Sequence, residues 1–203
     1  MAYALVPDLL MPLTASTSSY KEKGSKFWGF LFPVSSQQAV KEYLTLLRQR
    51  HLEATHICYA WRMGDLGELT FAQDDGEPAH SAGAPILRAI RAAKINNALV
   101  AVVRYYGGTK LGIPGLIEAY QNTANAAIEQ TNLAPFVSKT VVEIQCDYAQ
   151  ESKIRSLIAQ YHGIILKTEH QATVLIIAQI NTCELERFME LSPGYVHIHG
   201  RLF

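Results

Sequence analysis

Strands are predicted where apolar side chains either alternate with polar ones or run without a break. Side chains in the segment from Thr55 to Arg62 alternate between two faces of one predicted strand. One face starts at His56 and the other at Ile57. The segment from Asn97 to Arg104 contains the apolar run ALVAVV without polar alternation, which is typical of a strand buried on both faces. We therefore expect this second strand at the centre of a sheet.

An aromatic strand is predicted from Phe27 to Phe32, directly after the basic segment KEKGSKF. Lys21, Lys23 and Lys26 in that segment can protect a solvated strand edge from aggregation, or they can contact a polyanion. The sequence leaves both interpretations open. A turn rich in glycine after Arg62 predicts a hairpin partner for the preceding strand.

Helical spacing separates these strands. Apolar residues at i, i+4 and i+7 from Val40 indicate a helix that ends near Arg50, with Ser35 and Gln38 before it at capping-box spacing. A second helix is predicted after Pro85, where the apolar residues again follow a helical period.

A glycine-rich turn and a third helix follow the central strand. Pro114 fits the first position of this helix, where its missing N–H is not needed, and the helix is expected to end near Leu133. Strand, glycine turn and helix start together form a place where free backbone N–H groups can hold an anion.

The hydrophobic pattern restarts after Pro135, which predicts two domains, residues 1–136 and 137–203. The order of elements in the second is βαββαβ, the order of the ferredoxin-like split βαβ unit. Gly163 is expected to stop its first helix, and Asn181 with Glu184 to cap its second. Its strands are predicted near Val141–Cys146, Ile164–Glu169, Val174–Ile180 and Tyr195–Leu202. The predicted fold class is therefore α+β.

Composition limits the kinds of partner. The 203 residues are 49% hydrophobic, enough for a substantial core. Eighteen basic and eighteen acidic side chains give a formal net charge of zero, so no global field draws the protein to nucleic acid or to an anionic membrane. Any contact with nucleic acid must then be local.

The three cysteines form no CxxC pair, which argues against a disulfide framework and against a cysteine zinc site. The first basic residue is Lys21, so the charged start of a signal peptide is missing, and no apolar run reaches the length of a membrane span. We expect a cytoplasmic protein without a cofactor, a bound metal or a membrane partner.

Three acidic residues, Asp74, Asp75 and Glu77, lie close to His80 in the segment QDDGEPAHS. The segment is a good turn, because aspartates cap their own backbone and glycine supplies a positive φ. Clustered carboxylates also suit a divalent cation, or a general acid or base with a raised pKa. His56 on the neighbouring strand can point at the same place, or it can be a core histidine.

The segment RYYGGTK carries the other candidate site. Its glycines match neither the phosphate-loop pattern nor the GxGxxG fingerprint. Paired tyrosines beside basic residues suit stacking on bases together with phosphate contacts, and they suit core packing as well. The candidate binding residues of this segment are Arg104, Tyr105, Tyr106, Gly107, Gly108 and Lys110.

These segments resemble the IMPACT/YigZ family, also called uncharacterised protein family UPF0029. The resemblance covers nearly the whole chain, and its motifs are long and contiguous. They are KGSKF (23–27), THICYAWR (55–62), DDGEP (74–78), AGAPIL (82–87) and VVRYYGGTKLGIPGLIEAY (102–120).

The resemblance implies a first domain similar to domain 2 of ribosomal protein S5. It implies a second domain similar to the C-terminal domain of elongation factor G. It also implies that eukaryotic members of the family regulate translation through protein contacts. Two departures concern the site. His80 and Ser81 stand where bacterial members usually have GT, and Pro114 begins PGL where they usually have GGL, so a preformed anion nest is expected to be weakened.

The leading hypothesis is a non-enzymatic, translation-linked protein whose first domain offers one cleft to RNA or to a ribosome-associated partner. In this hypothesis both tyrosines, Arg104, Lys110 and the acidic turn line the same cleft. A metal-dependent small hydrolase that uses His56 with the three carboxylates is one alternative. A protein-interaction module without nucleic acid is another.

Overall fold

Two separate hydrophobic cores divide the chain after Phe136. The computed structural model describes residues 9–192 and 196–198, with side chains up to residue 192. One compact unit runs up to Phe136 and the other begins at Val137. The predicted α+β class is confirmed, since each unit combines antiparallel strands with helices.

The first unit is built on a five-stranded antiparallel sheet in the order β2-β3-β6-β4-β5. Its strands are β1 (Leu10–Pro12), β2 (Ser16–Glu22), β3 (Ser25–Pro33), β4 (His56–Met63), β5 (Leu69–Gln73), β6 (Ala98–Tyr105) and β7 (Leu133–Pro135). Its helices are α1 (Gln37–Arg50), α2 (Gly83–Ala92) and α3 (Gly112–Glu129). β6 is the central strand, as the uninterrupted apolar run predicted, and seven of its eight residues are buried.

Helices cover the two faces of this sheet unequally. α2 and α3 pack on one face, where Ile86 and Tyr120 lie in one core with Cys58 of β4. α1 alone packs on the other, where Leu47 meets Ile57 of the same strand. The two-sided burial of β4 follows from its alternating pattern, because successive side chains of a strand point to opposite faces.

The second unit has the strand order β11-β8-β10-β9. Its elements are β8 (Lys139–Cys146), α4 (Glu151–Gln160), β9 (Ile164–His170), β10 (Val174–Asn181), α5 (Leu185–Leu191) and β11 (Val196–Ile198). β10 is antiparallel to both β8 and β9, so β8 and β9 are parallel and joined across β10 by α4. This is the predicted split βαβ arrangement. Both helices pack on one face, with Ile158 and Phe188 in its core.

Several predicted boundaries are wrong. The N-cap of α1 is Ser36, not Ser35, and its side chain accepts a hydrogen bond from the Ala39 N–H. Pro114 is the third residue of α3, which begins at Gly112. That helix ends at Glu129, before the short strand β7, which pairs with β1 and was not predicted.

In the second unit, the left-handed residue after α4 is His162, with φ 51°, not Gly163. Position 163 favours glycine for a steric reason, because a Cβ there would lie 2.5 Å from the Ile180 Cδ1 atom. Asn181 donates to the Glu184 side chain and does not cap a helix, since a 3₁₀ turn precedes α5. The predicted last strand is described only at 196–198, and the rest of it lies outside the described residues.

None of the helices within the described residues combines the length and the apolar character that crossing a membrane requires.

Candidate functional site

A hollow of about 320 Å³ lies beside the first turn of α3, and we call it the α3 hollow. The acidic turn after β5, the glycine turn after β6 and α3 itself supply its walls. The lining residues are Glu77, Pro78, Arg104, Tyr106, Lys110, Leu111, Gly112, Ile113 and Leu116.

A buried ion pair forms the floor of the α3 hollow. The Arg104 Nη1 atom donates to the Glu77 Oε1 atom at 2.5 Å, and both side chains are almost fully buried. The Tyr120 hydroxyl donates to the same oxygen at 2.8 Å. Arg104 reaches this position because it lies on the β6 face that α2 and α3 cover. A buried charge requires such compensation, and the pair fixes the acidic turn to β6.

The Arg104 guanidinium also holds two aromatic rings. Its Cζ atom lies 5.4 Å from the ring centroid of Phe27 and 5.4 Å from that of Tyr106. Phe27 is buried in the core, whereas Tyr106 is 46% exposed. The cation–π contacts therefore hold the exposed Tyr106 ring at the mouth of the hollow.

Cys58 and Tyr120 extend the network into the core. The Cys58 Sγ atom lies 3.0 Å from the Asp74 carbonyl oxygen and 3.3 Å from the Tyr120 hydroxyl. Burial raises the pKa of the Cys58 thiol and that of the Tyr120 hydroxyl far above their ordinary values. Both groups thus stay protonated at neutral pH, and Cys58 lacks the thiolate that a nucleophilic cysteine needs.

Tyr105 and Tyr106 do not share a cleft, and this expectation is wrong. Tyr105 is the last residue of β6 and points to the α1 face, where its hydroxyl lies 2.7 Å from the His51 Nδ1 atom. Only Tyr106 lines the α3 hollow. Consecutive residues of a strand diverge in this way because the side-chain period is two.

The two aspartates of the acidic turn are engaged with backbone N–H groups outside the hollow. The Asp74 Oδ1 atom accepts from the N–H groups of Ala82 and Gly83 at the start of α2, at 3.0 and 2.8 Å. Its Oδ2 atom accepts from the N–H of His80, at 2.8 Å. Asp74 therefore satisfies free N–H groups at the start of α2, where the N-cap residue Ala82 has no capping side chain.

Asp75 joins the same turn to β4 and α1. Its Oδ2 atom accepts from the Ile57 N–H at 2.7 Å, and its Oδ1 atom pairs with the Arg48 Nη2 atom at 3.0 Å. The His56 Nδ1 atom lies 2.7 Å from the Asp75 carbonyl oxygen. His56 and Asp75 line a second cavity of about 200 Å³, not the α3 hollow.

These contacts separate the three carboxylates that the hydrolase alternative groups with His56. Of the three carboxylates, only Glu77 faces the α3 hollow, and its Oε1 atom lies 4.0 Å from the His56 Nε2 atom. Across the residues that the structure describes, no three His, Cys, Asp or Glu side chains are grouped to hold a metal ion.

The glycines of the turn have different roles. A Cβ at Gly107 would lie 1.9 Å from the Gly24 carbonyl carbon, so Gly107 permits close contact with the β2–β3 hairpin. The Gly107 N–H also donates to the Ser25 Oγ atom at 3.2 Å. Gly108 has open space around it and a φ of 86°, a backbone conformation that favours glycine.

Comparison with known protein families matches both units. The Impact N-terminal domain model matches residues 23–128, and a domain of unknown function, DUF1949, matches residues 144–191. The chain belongs to the IMPACT family. It is 34% identical over 182 residues to IMPACT family member YigZ of Escherichia coli, covering 88% of this chain and 89% of that protein.

Two further likenesses extend over nearly the full length. An IMPACT family member of Haemophilus influenzae is 32% identical over 184 residues, covering 89% of each chain. A hypothetical protein with a solved crystal structure is 30% identical in sequence to this chain. The two structures have a TM-score of 0.72, and the match covers 96% of this chain and 97% of that chain.

In this IMPACT-family protein, two of the five motifs supply all the lining residues of the α3 hollow. DDGEP supplies Glu77 and Pro78, and the segment from Val102 to Tyr120 supplies the other lining residues. Sequence reasoning missed five lining residues: Pro78, Leu111, Gly112, Ile113 and Leu116. Ile113 carried a usable signal, because an apolar residue in the first turn of a helix, next to a glycine turn, has few core partners.

The two departures from the family pattern are accommodated locally. His80 adopts a φ of 63° and donates its N–H to Asp74. Pro114 lies in the first turn of α3, where backbone N–H groups have no intrahelical partner. Its missing N–H therefore breaks no helix hydrogen bond.

Proposed function

We propose that this protein is a non-catalytic, translation-linked binding protein that docks a partner protein in the α3 hollow. The observation that carries the proposal is the mixed lining of the hollow. Ile113 is 54% exposed and lies with Leu111, Leu116 and Pro78 around the exposed Tyr106 ring. An apolar pocket with an aromatic wall suits an apolar or aromatic side chain of a partner.

The electrostatics of the hollow favour a protein over RNA. Glu77 neutralises Arg104, so Lys110 is the one charged lining residue outside that ion pair among those the structure describes. RNA affinity depends on several phosphate contacts, which one lysine does not supply. Lys110 instead suits a carboxylate or a backbone carbonyl at the rim of a docked peptide.

The translational setting of the proposal comes from family membership. The resemblance described above implies that eukaryotic members regulate translation through protein contacts. A hollow in which Arg104 and Glu77 are paired with each other agrees with a binding role. We therefore expect the partner to be a ribosome-associated protein.

A pull-down with matched variants tests the proposal. Ile113→Asp places a charge in the hollow, and aspartate is favourable in the first turn of a helix, so the fold is expected to stay intact. Leu52→Asp is the control, because Leu52 is 85% exposed and lies outside the hollow. After nuclease treatment of the lysate, immobilised wild type and immobilised Leu52→Asp should retain the same partner protein. Ile113→Asp should not retain it. Equal retention by all three contradicts the proposal.

A further inference from the structure

Among the described residues, no helix covers one part of the first sheet. The Ser18 hydroxyl of β2 donates to the Thr123 carbonyl of α3 at 2.8 Å, so the alternate residues of β2 face away from α3. On that side, β2 and β3 place five exposed side chains together. They are Thr17, Ser19, Lys21, Lys26 and Trp28, here called the β2–β3 outer face.

The extent of α1 explains why this face is open. Phe32 of β3 stacks on Tyr43 of α1 with ring centroids 4.2 Å apart. Phe30, two residues before Phe32 on the same face of β3, contacts His51, the C-cap residue of α1. The centroids of these two rings are 5.4 Å apart. The next residue on this face is Trp28, and it remains 42% exposed. The helix ends before it can cover the indole.

The lysines of this hairpin form no ion pair with another described residue. Lys21 lies directly opposite Lys26 across the β2–β3 ladder, and like charges in that position destabilise a sheet. Among the described residues, no carboxylate lies within 4.0 Å of the ammonium of Lys21, Lys23 or Lys26. Lys23 occupies a turn position with φ 44°, which favours Gly, Asn or Asp.

Protection of a strand edge explains only one of these residues. Lys21 lies on the edge strand β2, where lysine discourages pairing with another chain. Lys26 and Trp28 lie on β3, which is paired on both sides, and so they have no edge to protect. An exposed tryptophan moreover promotes association, which is the opposite of protection.

We infer that the β2–β3 outer face binds single-stranded RNA. The Trp28 indole offers a platform for one unpaired base, and Lys21, Lys23 and Lys26 meet the phosphates on either side of it. Ser19 lies directly opposite Trp28 and presents a hydroxyl for a phosphate or ribose oxygen. This face and the α3 hollow lie on opposite sides of the sheet, so the inference does not depend on the proposed function.

The test uses the full chain and a fluorescein-labelled oligouridine, followed by anisotropy. Trp28→Ala should weaken binding by about 5- to 150-fold, the range for the loss of one base stack. Lys26→Gln should reduce the slope of log K against log salt by about 0.7. Lys23→Asn suits the turn and should also weaken binding. Lys41→Gln, which removes an exposed lysine on α1, is the control and should bind nearly as wild type.

Two further readouts separate the possible outcomes. Oligouridine should quench the tryptophan fluorescence of the wild type, and Trp28→Phe should abolish the quenching. Ile113→Asp should bind the RNA unchanged, whatever happens to its protein partner. Equal affinity of wild type and Trp28→Ala, or equal affinity for the same strand annealed into a duplex, would overturn the inference.

Discussion

At the scale of single residues, the charge of Arg104 is held inside the first unit. Glu77, Ser25 and two aromatic rings surround its guanidinium. Glu77→Gln removes the neutralising charge, and we expect it to lower the free energy of unfolding by about 3–5 kcal/mol. Urea unfolding followed by tryptophan fluorescence measures this directly, because Trp28 and Trp61 both lie in the first unit.

A double substitution supplies the control. Arg104→Met combined with Glu77→Gln removes both charges, so its cost should be well below the sum of the two single costs. Asp75→Asn changes a partly exposed carboxylate whose ion-pair partner, Arg48, is also exposed, and it should cost less than Glu77→Gln. If the loss of unfolding free energy in the double variant equals the sum of the losses in Arg104→Met and Glu77→Gln, the ion pair does not stabilise the floor.

His51 gives the first unit a dependence on pH. Burial, followed by the nearby Arg50, lowers the pKa of this imidazole in the folded state. The unfolded chain therefore takes up a proton more readily below pH of about 6.5, and stability should fall as the solution is acidified through that range. Urea midpoints between about pH 7.5 and 5.5 measure the effect. His51→Gln should reduce this slope, and an unchanged slope would contradict the assignment.

Of the eleven predicted binding residues, Glu77, Arg104, Tyr106 and Lys110 line the α3 hollow and the other seven do not. The acidic turn and the glycine turn do meet at Glu77 and Arg104. Asp74 and Asp75 are instead held by the N–H groups of α2 and β4, and those partners depend on how the turn folds back. The divergence of Tyr105 and Tyr106 was predictable, because Tyr106 directly follows the last residue of a strand whose side chains alternate between faces.

At the scale of elements, the turn after β6 depends on one close contact with the β2–β3 hairpin. Gly107→Ala places a methyl group against the backbone of Gly24, and we expect a loss of about 3 kcal/mol or more. Gly108→Ala meets open space and carries only the strain of its positive φ, about 1–2 kcal/mol. Denaturant unfolding of both variants checks the order, and a larger loss for Gly108→Ala would contradict the contact.

Long elements were predicted well because their burial patterns are local. β4 and α1 follow directly from periods of two and 3.6, and β6 follows from its unbroken apolar run. Ser35 and Ser36 have the same side chain, so the backbone conformation before α1 decides which of them is the N-cap. The pairing of β7 with β1 joins residues far apart in sequence, and no local pattern contains that information.

At the scale of the whole molecule, the two cores predict separate folding. Residues 1–136 contain the complete five-stranded sheet, its three helices and the β1–β7 pair. We expect this segment alone to unfold cooperatively, with a fluorescence midpoint close to that of the full chain. Circular dichroism and urea titration measure it. A fragment without a cooperative transition would show that the first unit needs the second.

The central claim is that the α3 hollow docks a partner in the translation machinery. The most direct measurement is sedimentation of cell lysate through a sucrose gradient, with the wild type, Ile113→Asp and Leu52→Asp traced by immunoblot. The account predicts that wild type and Leu52→Asp migrate with ribosomal particles and that Ile113→Asp stays at the top. Wild type at the top of the gradient, or all three with the ribosomes, would contradict it.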